Sequence, residues 1–305
     1  MKFLLETLKV LFLSLWLSLE ALWRSVVPAR KKSVAGETVL VSGAGGGLGR
    51  LLALEFARLG AKVVLWDINE EDNRETARVI KETHGVRAHP YACDCSRREE
   101  VYRVADQVKR EVGDVTILVN NAGIVTGKKF LQCPDSLLQK TMEVNSMAHF
   151  WMYKAFLPAM IAGNHGHLVS IASSAGLIGV SGLADYCASK FAAVGFAESV
   201  GLELLAAGCD GVKTTIVCPF FINTGMFDGA NTKWPGLMPI LDPEYACRKI
   251  MDAVRRDQVY LCMPRFMYFV IAMKNILPVK LGLLYGVYLG AFDFMATFKG
   301  RNKSD

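Results

Sequence analysis

Charge is scarce in this 305-residue chain: only 21% of the residues are Asp, Glu, Lys or Arg, against 52% hydrophobic residues. That balance is too apolar for a disordered protein and leaves material for a sizeable core. No run of five or six basic residues occurs, so the net charge of +6 is not organised as a nucleic-acid footprint. No motif that reads RNA or DNA is present, which excludes nucleic acid as the expected partner. None of the eight cysteines (Cys93, Cys95, Cys133, Cys187, Cys209, Cys218, Cys247 and Cys262) forms a C-x-x-C pair, and no Cys/His set has zinc spacing. No metal is expected, and scattered thiols of this kind suit a reduced, cytosol-facing domain. The absence of internal repeats and low-complexity stretches sets aside repeat architectures.

What is abundant is apolar sequence, concentrated at the two ends. Residues 1–27 include FLLETLKVLFLSLWLSLEALWRSVV, with no clear small-x-small cleavage site after them. The uncharged stretch between Lys9 and Glu20 is only ten residues, too short by itself to span a bilayer. Glu6, Lys9 and Glu20 fall within roughly 60° of one another on a helix, a narrow polar stripe on an apolar rod. Two readings stand: a helix lying in the membrane interface, or a spanning helix whose few charges pair or snorkel. Trp16 and Trp23 suit a headgroup boundary. The basic residues Arg24, Arg30, Lys31 and Lys32 around and within the linker at 28–36 would keep the main domain in the cytosol. The second apolar region, 266–305, is broken by Lys274, Pro278 and Lys280. It reads either as a membrane-facing extension or as a cap on a substrate pocket. An Asn302-Lys303-Ser304 glycosylation sequon on a cytosolic tail is read as chance.

Between the ends, 37–265 alternates short β-branched runs with helical segments. Strands are expected at Thr38–Ser42, Lys62–Trp66, Val86–Cys93, Ile117–Asn120, His167–Ala172, Lys213–Cys218 and Val259–Met263, with helices near Leu48–Leu59, Glu70–His84 and Arg97–Val112. Such alternation implies an α/β fold: a doubly wound parallel sheet of Rossmann type, with helices on both faces.

The first strand runs into Ser42-Gly43-Ala44-Gly45-Gly46-Gly47-Leu48-Gly49, where a glycine-rich turn opens a helix. Glycines allow the tight turn and let a pyrophosphate approach the helix N-terminus, whose free N–H groups favour anions. Ser42, Gly43, Gly47, Leu48 and Gly49 are therefore candidate dinucleotide contacts. Asp67 ends the second strand, 18 residues after Gly49. A carboxylate there accepts the ribose hydroxyls of NAD and repels the 2′-phosphate of NADP. No basic residue stands at Gly46 to neutralise that phosphate, so NAD is the expected cofactor. Asp94 is placed to meet the adenine edge, and Asn121-Ala122-Gly123 should border the nucleotide cleft.

Tyr186 and Lys190 are four residues apart on a helical segment and share a face. A free phenol has a pKa near 10, and a nearby ammonium lowers it toward a usable base. Ser173, 13 residues upstream, and the adjacent Ser174 are both candidates to hold a substrate oxygen against Tyr186. Asn145 lies in a helix whose regularity a side-chain amide would interrupt.

The glycine motif, Asn120-Asn121-Ala122-Gly123, Asn145, Ser173 and the Y-x-x-x-K at 186–190 together resemble the short-chain dehydrogenase/reductase family, in its order and spacing over about 36–265. The resemblance selects Ser173 over Ser174. It implies a catalytic set of Asn145, Ser173, Tyr186 and Lys190, with Ser173 and Tyr186 on the substrate. It also places Pro219 and Thr224 against the nicotinamide. Phe220 departs from it, standing where a glycine is common. The phrases VSGAGGGLGRLLALEFARLGAKVVLWDIN, AHFWMYKAFLPAM and DYCASKFAAVGF further resemble the retinol dehydrogenase branch. That branch implies NAD-linked oxidation of all-trans-retinol at endoplasmic reticulum or lipid-droplet membranes, and the family implies a possible homodimer. Gly225–Leu241, with Met226, Phe227, Trp234, Leu237 and Met238, is expected to cover an apolar substrate. A 17β-hydroxysteroid or another lipid alcohol is the alternative substrate. A non-catalytic membrane scaffold is the alternative of another class, opposed by the intact Ser173, Tyr186 and Lys190.

Overall fold

The computed structural model describes residues 1–300, and the Asn302 sequon falls outside them. Met1–Lys32 and the chain from Ser33 onward form two compact units. In the first, helix α1 (Lys2–Val26) leaves its Leu, Phe and Trp side chains exposed and carries an i,i+4 ion pair, Glu20–Arg24, at 2.8 Å. No helix among the described residues is long and apolar enough to cross a membrane.

The second unit is built on seven strands: β1 (Thr38–Ser42), β2 (Lys62–Asp67), β3 (His89–Ala92), β4 (Ile117–Asn120), β5 (Gly166–Ile171), β6 (Val212–Pro219) and β7 (Tyr260–Met263). All pair in parallel, in the order β3-β2-β1-β4-β5-β6-β7. Helices α2 (Gly47–Arg58), α3 (Glu70–His84), α4 (Arg98–Glu111), α5 (Asp135–Met142), α6 (Ala148–Ala162), α7 (Ala184–Ala206) and α8 (Pro243–Arg255) flank the sheet. Strand alternation sends successive side chains to opposite faces. Val39, Val41, Val63 and Leu65 pack in one layer with α2 and α8, while Leu40, Val64 and Trp66 pack in the other with α4 and α6. Both layers are buried, which is why the central strands read as nearly continuous apolar runs.

The third strand is shorter than the expected Val86–Cys93. Pairing begins at His89 opposite Val64 and ends at Ala92 opposite Asp67. As an edge strand it tolerates Pro90, whose missing N–H would interrupt a central ladder. Asp94 therefore lies in the loop beyond the strand rather than at its last residue.

The chain after β7 forms α9 (Phe266–Ile276) and α10 (Val279–Leu289) and then turns back. Met267, Phe294 and Met295 are buried with Tyr186, Phe220 and Phe221 in a third apolar cluster at the C-terminal ends of the strands. This segment is part of the second unit. Its inner side fits the cap reading, while Ile276, Val279, Leu283, Leu284, Val287 and Tyr288 stay exposed on its outer side.

Candidate active site

A cavity of about 630 Å³ opens at the C-terminal ends of the strands, where ligands bind in open α/β sheets. Its nucleotide half begins at the β1–α2 turn. Gly43 and Gly47 take φ of +66° and +51°, the left-handed region open to glycine. A Cβ at Gly49 would sit 2.0 Å from the Gly43 carbonyl oxygen, so the helix can approach the turn only without one. The α2 N-cap is Gly46, and no side chain caps it, which leaves the first N–H groups for an anion. Gly43, Gly47 and Leu48 line the cavity. Ser42 and Gly49 stand behind it and build it: Ser42 Oγ accepts from the N–H groups of Asn121 (3.0 Å) and Ala122 (3.1 Å), and Asn121 Nδ2 donates to the Ser42 carbonyl (2.9 Å). Asn121, Ala122 and Gly123 form the opposite wall.

Asp67 reaches the cavity with its carboxylate oriented by two backbone donors, Gly45 N (2.8 Å) and Asn69 N (2.9 Å). Arg50 lies behind the turn, donating to Gly45 O, Thr76 Oγ1 and Asp72 O. Sequence reasoning missed this brace, because a lone Arg in a helix carries no signal of its own. Asp94 also lines the cavity and accepts from Ser96 Oγ (2.6 Å) and Lys140 Nζ (3.1 Å). Burial raises its pKa, but the Ser96 and Lys140 interactions outweigh that and hold the carboxyl below its ordinary value. Together these groups fit a dinucleotide: an uncapped helix end, a side-chain-free surface and an oriented carboxylate where a ribose diol would lie. Among the described residues no cluster of His, Cys, Asp and Glu is gathered to hold a metal.

At the other half, the start of α7 presents Tyr186 and Lys190, 5% and 3% exposed. Lys190 Nζ donates to the Ile171 carbonyl at 2.9 Å and lies 5.7 Å from the centre of the Tyr186 ring. Burial pushes the Tyr186 hydroxyl up, and a hydrogen bond with Ser173 acts in the opposite direction. Burial lowers Lys190 to about 8. The lowering of the tyrosine by Lys190 expected from the sequence is not found: burial governs the hydroxyl, and the ammonium sits over the ring and bonds to a carbonyl. Ser173 and Ser174 both line the cavity, and Ser173 is the one bonded to Tyr186. Its hydroxyl accepts from Ala175 N (3.1 Å) and faces the Pro219 carbonyl (3.4 Å) as β5 ends in the 3-10 turn Ser174–Gly176.

Asn145 is fully buried and does not line the cavity. It sits in a π-helical turn, Glu143–Met147, between α5 and α6. Its amide accepts from Ile124 N (2.8 Å) and donates to Ile124 O (2.9 Å) and Ser189 Oγ (3.0 Å), tying the β4 loop to α7. Asn145 and Lys190 flank Gly123: a Cβ there would lie 3.3 Å from Asn145 Oδ1 and 3.6 Å from Lys190 Nζ.

Pro219 and Thr224 line the cavity, and Thr224 packs on Gly47. The expected cover divides. Met226 and Phe227 face the cavity, and Phe227 meets Tyr186 edge-on at 5.6 Å. Met238 is in the core, while Trp234 and Leu237 are 41% and 43% exposed. Phe220 occupies its unusual position because Phe221 (4.5 Å) and Phe294 (5.5 Å) pack on its ring. Phe298, Lys299 and Gly300 also line the cavity. They were not among the expected site residues, since only the return of the chain after α10 brings them there.

The short chain dehydrogenase family model matches residues 37–234. Epidermal retinol dehydrogenase 2 of Mus musculus is 63% identical over 303 residues, covering 98% of each chain, and that of Homo sapiens 59% over 307 residues, covering 99% of each. Retinol dehydrogenase 10 of Xenopus tropicalis is 45% identical over 329 residues, covering 99% of this chain and 96% of its own. Among solved structures, a short chain dehydrogenase/reductase from Burkholderia phymatum in complex with NAD shares the fold at TM-score 0.73 and 24% identity, covering 82% of this chain and 96% of its own. A metagenomic short-chain oxidoreductase in complex with NADP matches at TM-score 0.63 and 29% identity, covering 76% and 96%.

Proposed function

The chain belongs to the short-chain dehydrogenase family, and we propose that it oxidises all-trans-retinol to all-trans-retinal with NAD at a membrane surface. One observation carries the chemistry: the Ser173 and Tyr186 hydroxyls meet where the glycine cradle gives way to an apolar chamber lined by Phe220, Phe221 and Phe227. The substrate is supported by the relatives named retinol dehydrogenases, which align over nearly the whole chain.

In this reading Ser173 holds the alcohol oxygen and stabilises the charge that develops on it. Tyr186, once its own proton is released, takes the hydroxyl proton as the phenolate. Gly43, Gly47 and Leu48 would hold NAD, which when bound would supply the hydride acceptor and, in its oxidised form, a positive charge. Lys190 adds a second cationic donor below Tyr186 and keeps its place through the Ile171 carbonyl. Asn145 positions the β4 loop and α7 relative to each other. Phe227, packed against Tyr186, keeps water from the reacting oxygen. NAD is favoured over NADP by the Asp67 carboxylate, and Arg50 is already engaged by three oxygens behind the turn. α1 and the basic residues after it support attachment to endoplasmic reticulum or lipid-droplet membranes, with the catalytic unit in the cytosol.

The test is a side-by-side assay of membranes carrying the protein, with NAD⁺ or NADP⁺, on retinol and androstanediol. Retinol with NAD⁺ should give the highest kcat/KM. Preference for NADP⁺ would contradict the role given to Asp67, and preference for the steroid would overturn the substrate. Tyr186→Phe should remove turnover by a factor of at least about 10² while NADH binding persists.

A further inference from the structure

We propose that the rim of the cavity is itself a lipid-binding surface, seated on anionic phospholipid, through which an apolar alcohol enters from the bilayer without crossing water. This deepens the reading of a membrane-dissolved substrate and rests on it.

Three segments distant in sequence form the rim. The first follows β4. Val125 and Thr126 line the cavity, Gly127 packs so closely on the Phe298 ring that a Cβ would fall 2.0 Å from it, and the chain then presents Lys128, Lys129, Phe130 and Leu131. Phe130 is 60% and Leu131 93% exposed. The second is the cover, whose Met226 and Phe227 face inward while Trp234 and Leu237 face outward. The third is α10 with the return after it, exposing Leu284, Val287, Tyr288 and Phe292.

Direct contacts join the three. Trp234 Nε1 donates to Tyr288 O at 2.8 Å and the two rings lie 5.7 Å apart. Thr297 Oγ1 donates to Gly229 O at 2.6 Å, and Lys299 N to Asp228 O at 2.8 Å. Phe298 closes the circle against Gly127. The exposed apolar residues therefore lie on three segments that meet around one opening.

Charge identifies the occupant. Residues 124–132, 225–241 and 266–300 carry six lysines (Lys128, Lys129, Lys233, Lys274, Lys280 and Lys299) and two acids (Asp228 and Asp293). Exposed Trp, Tyr and aliphatic side chains bordered by lysines are the composition of an interfacial surface on anionic lipid. Each lysine facing such a surface strengthens binding roughly fivefold.

The full-length protein is bound to phosphatidylcholine vesicles containing a phosphatidylserine with a photoreactive acyl chain, irradiated, and its adducts mapped by mass spectrometry. Adducts are expected within 128–132, 234–240 and 283–292, and Leu131→Glu/Val287→Glu should remove those near the substituted positions. The same double variant should raise KM for vesicle-dissolved retinol roughly tenfold, while kcat on a water-soluble allylic alcohol and NADH binding stay unchanged. Labelling confined to residues 2–26, or absent throughout, overturns the proposal: the rim then faces water or a second copy. Rim labelling without retinol turnover would remove the substrate reading and leave the surface standing.

Discussion

Gly49 is where the cofactor cradle is most sharply constrained. A Cβ at this position lies 2.0 Å from the Gly43 carbonyl oxygen and 2.6 Å from Asn121 Nδ2. An ordinary carbon–oxygen contact is about 3.3 Å, so Gly49→Ala requires the turn and helix to separate by roughly 1.3 Å. Neither side yields easily. The Gly43 turn is tied to Asn121, and α2 is fastened to the core by Leu52 and Phe56, which are 0% and 1% exposed. Overpacking of this kind costs about 1–3 kcal/mol, and rigid neighbours place this case at the upper end. The displaced atoms are those around the uncapped helix end, so NADH affinity should fall by about 30–100-fold, or roughly 2–3 kcal/mol. Gly195→Ala is the internal control. Its Cβ meets nothing within 4 Å, it lies within α7, and its φ is not positive. There alanine should stabilise by roughly 0.5–1 kcal/mol through helix propensity and leave NADH binding unchanged. Fluorescence titration with NADH and thermal melts of both variants decide the matter. A Gly49→Ala protein that binds NADH within about threefold of the parent and melts at its temperature would refute the reasoning.

Phe294→Ala should cost about 3–5 kcal/mol in urea unfolding, because the ring is 2% exposed and packs on Phe220 and Phe221; a loss below about 1 kcal/mol would show that the C-terminal return is not part of the core. Burial lowers His149 from 6.5 to about 3 and Lys190 from 10.5 to about 8. For each of these two groups the unfolded chain binds more protons than the folded one, so its own contribution to stability rises with pH, from about 3 to 6.5 for His149 and from about 8 to 10.5 for Lys190, where the buried thiols of Cys187 and Cys247, pushed up by burial, act in the opposite direction. Denaturation of the cofactor-free protein and of Lys190→Met isolates the lysine: between about pH 8 and 10.5 the variant's stability should fall more steeply with pH than the parent's, and identical slopes would be inconsistent with a buried, desolvated ammonium.

Local order explains what could be read early. The glycine turn, the strand-end Asp67 and the i,i+4 spacing of Tyr186 and Lys190 are short-range patterns, and each lies on the element its periodicity implied. The alternation of β-branched runs with helices was enough for a parallel sheet, and the break in helix regularity expected at Asn145 is present as a π-helical turn. Edges were less legible. Val86–Ala88 has the composition of a strand, but pairing with β2 begins only at His89, since a strand's ends depend on its neighbour's register as well as its own residues. Which serine faces Tyr186 was equally undecidable from chemistry, because adjacent hydroxyls differ only in where the turn aims them.

By itself the sequence determined the α/β sheet, the dinucleotide cradle and the Tyr186–Lys190 pair, because these follow from periodicity and from contacts within a few residues. Only the tertiary structure decided that Asn145 works from behind the cavity, that burial governs the Tyr186 hydroxyl, and that Phe298 lines the site with Phe294 packed in the apolar cluster beside it. Those outcomes depend on desolvation and on contacts between segments remote along the chain. Such quantities come into being when the sheet, α7 and the C-terminal return exclude water from the same volume.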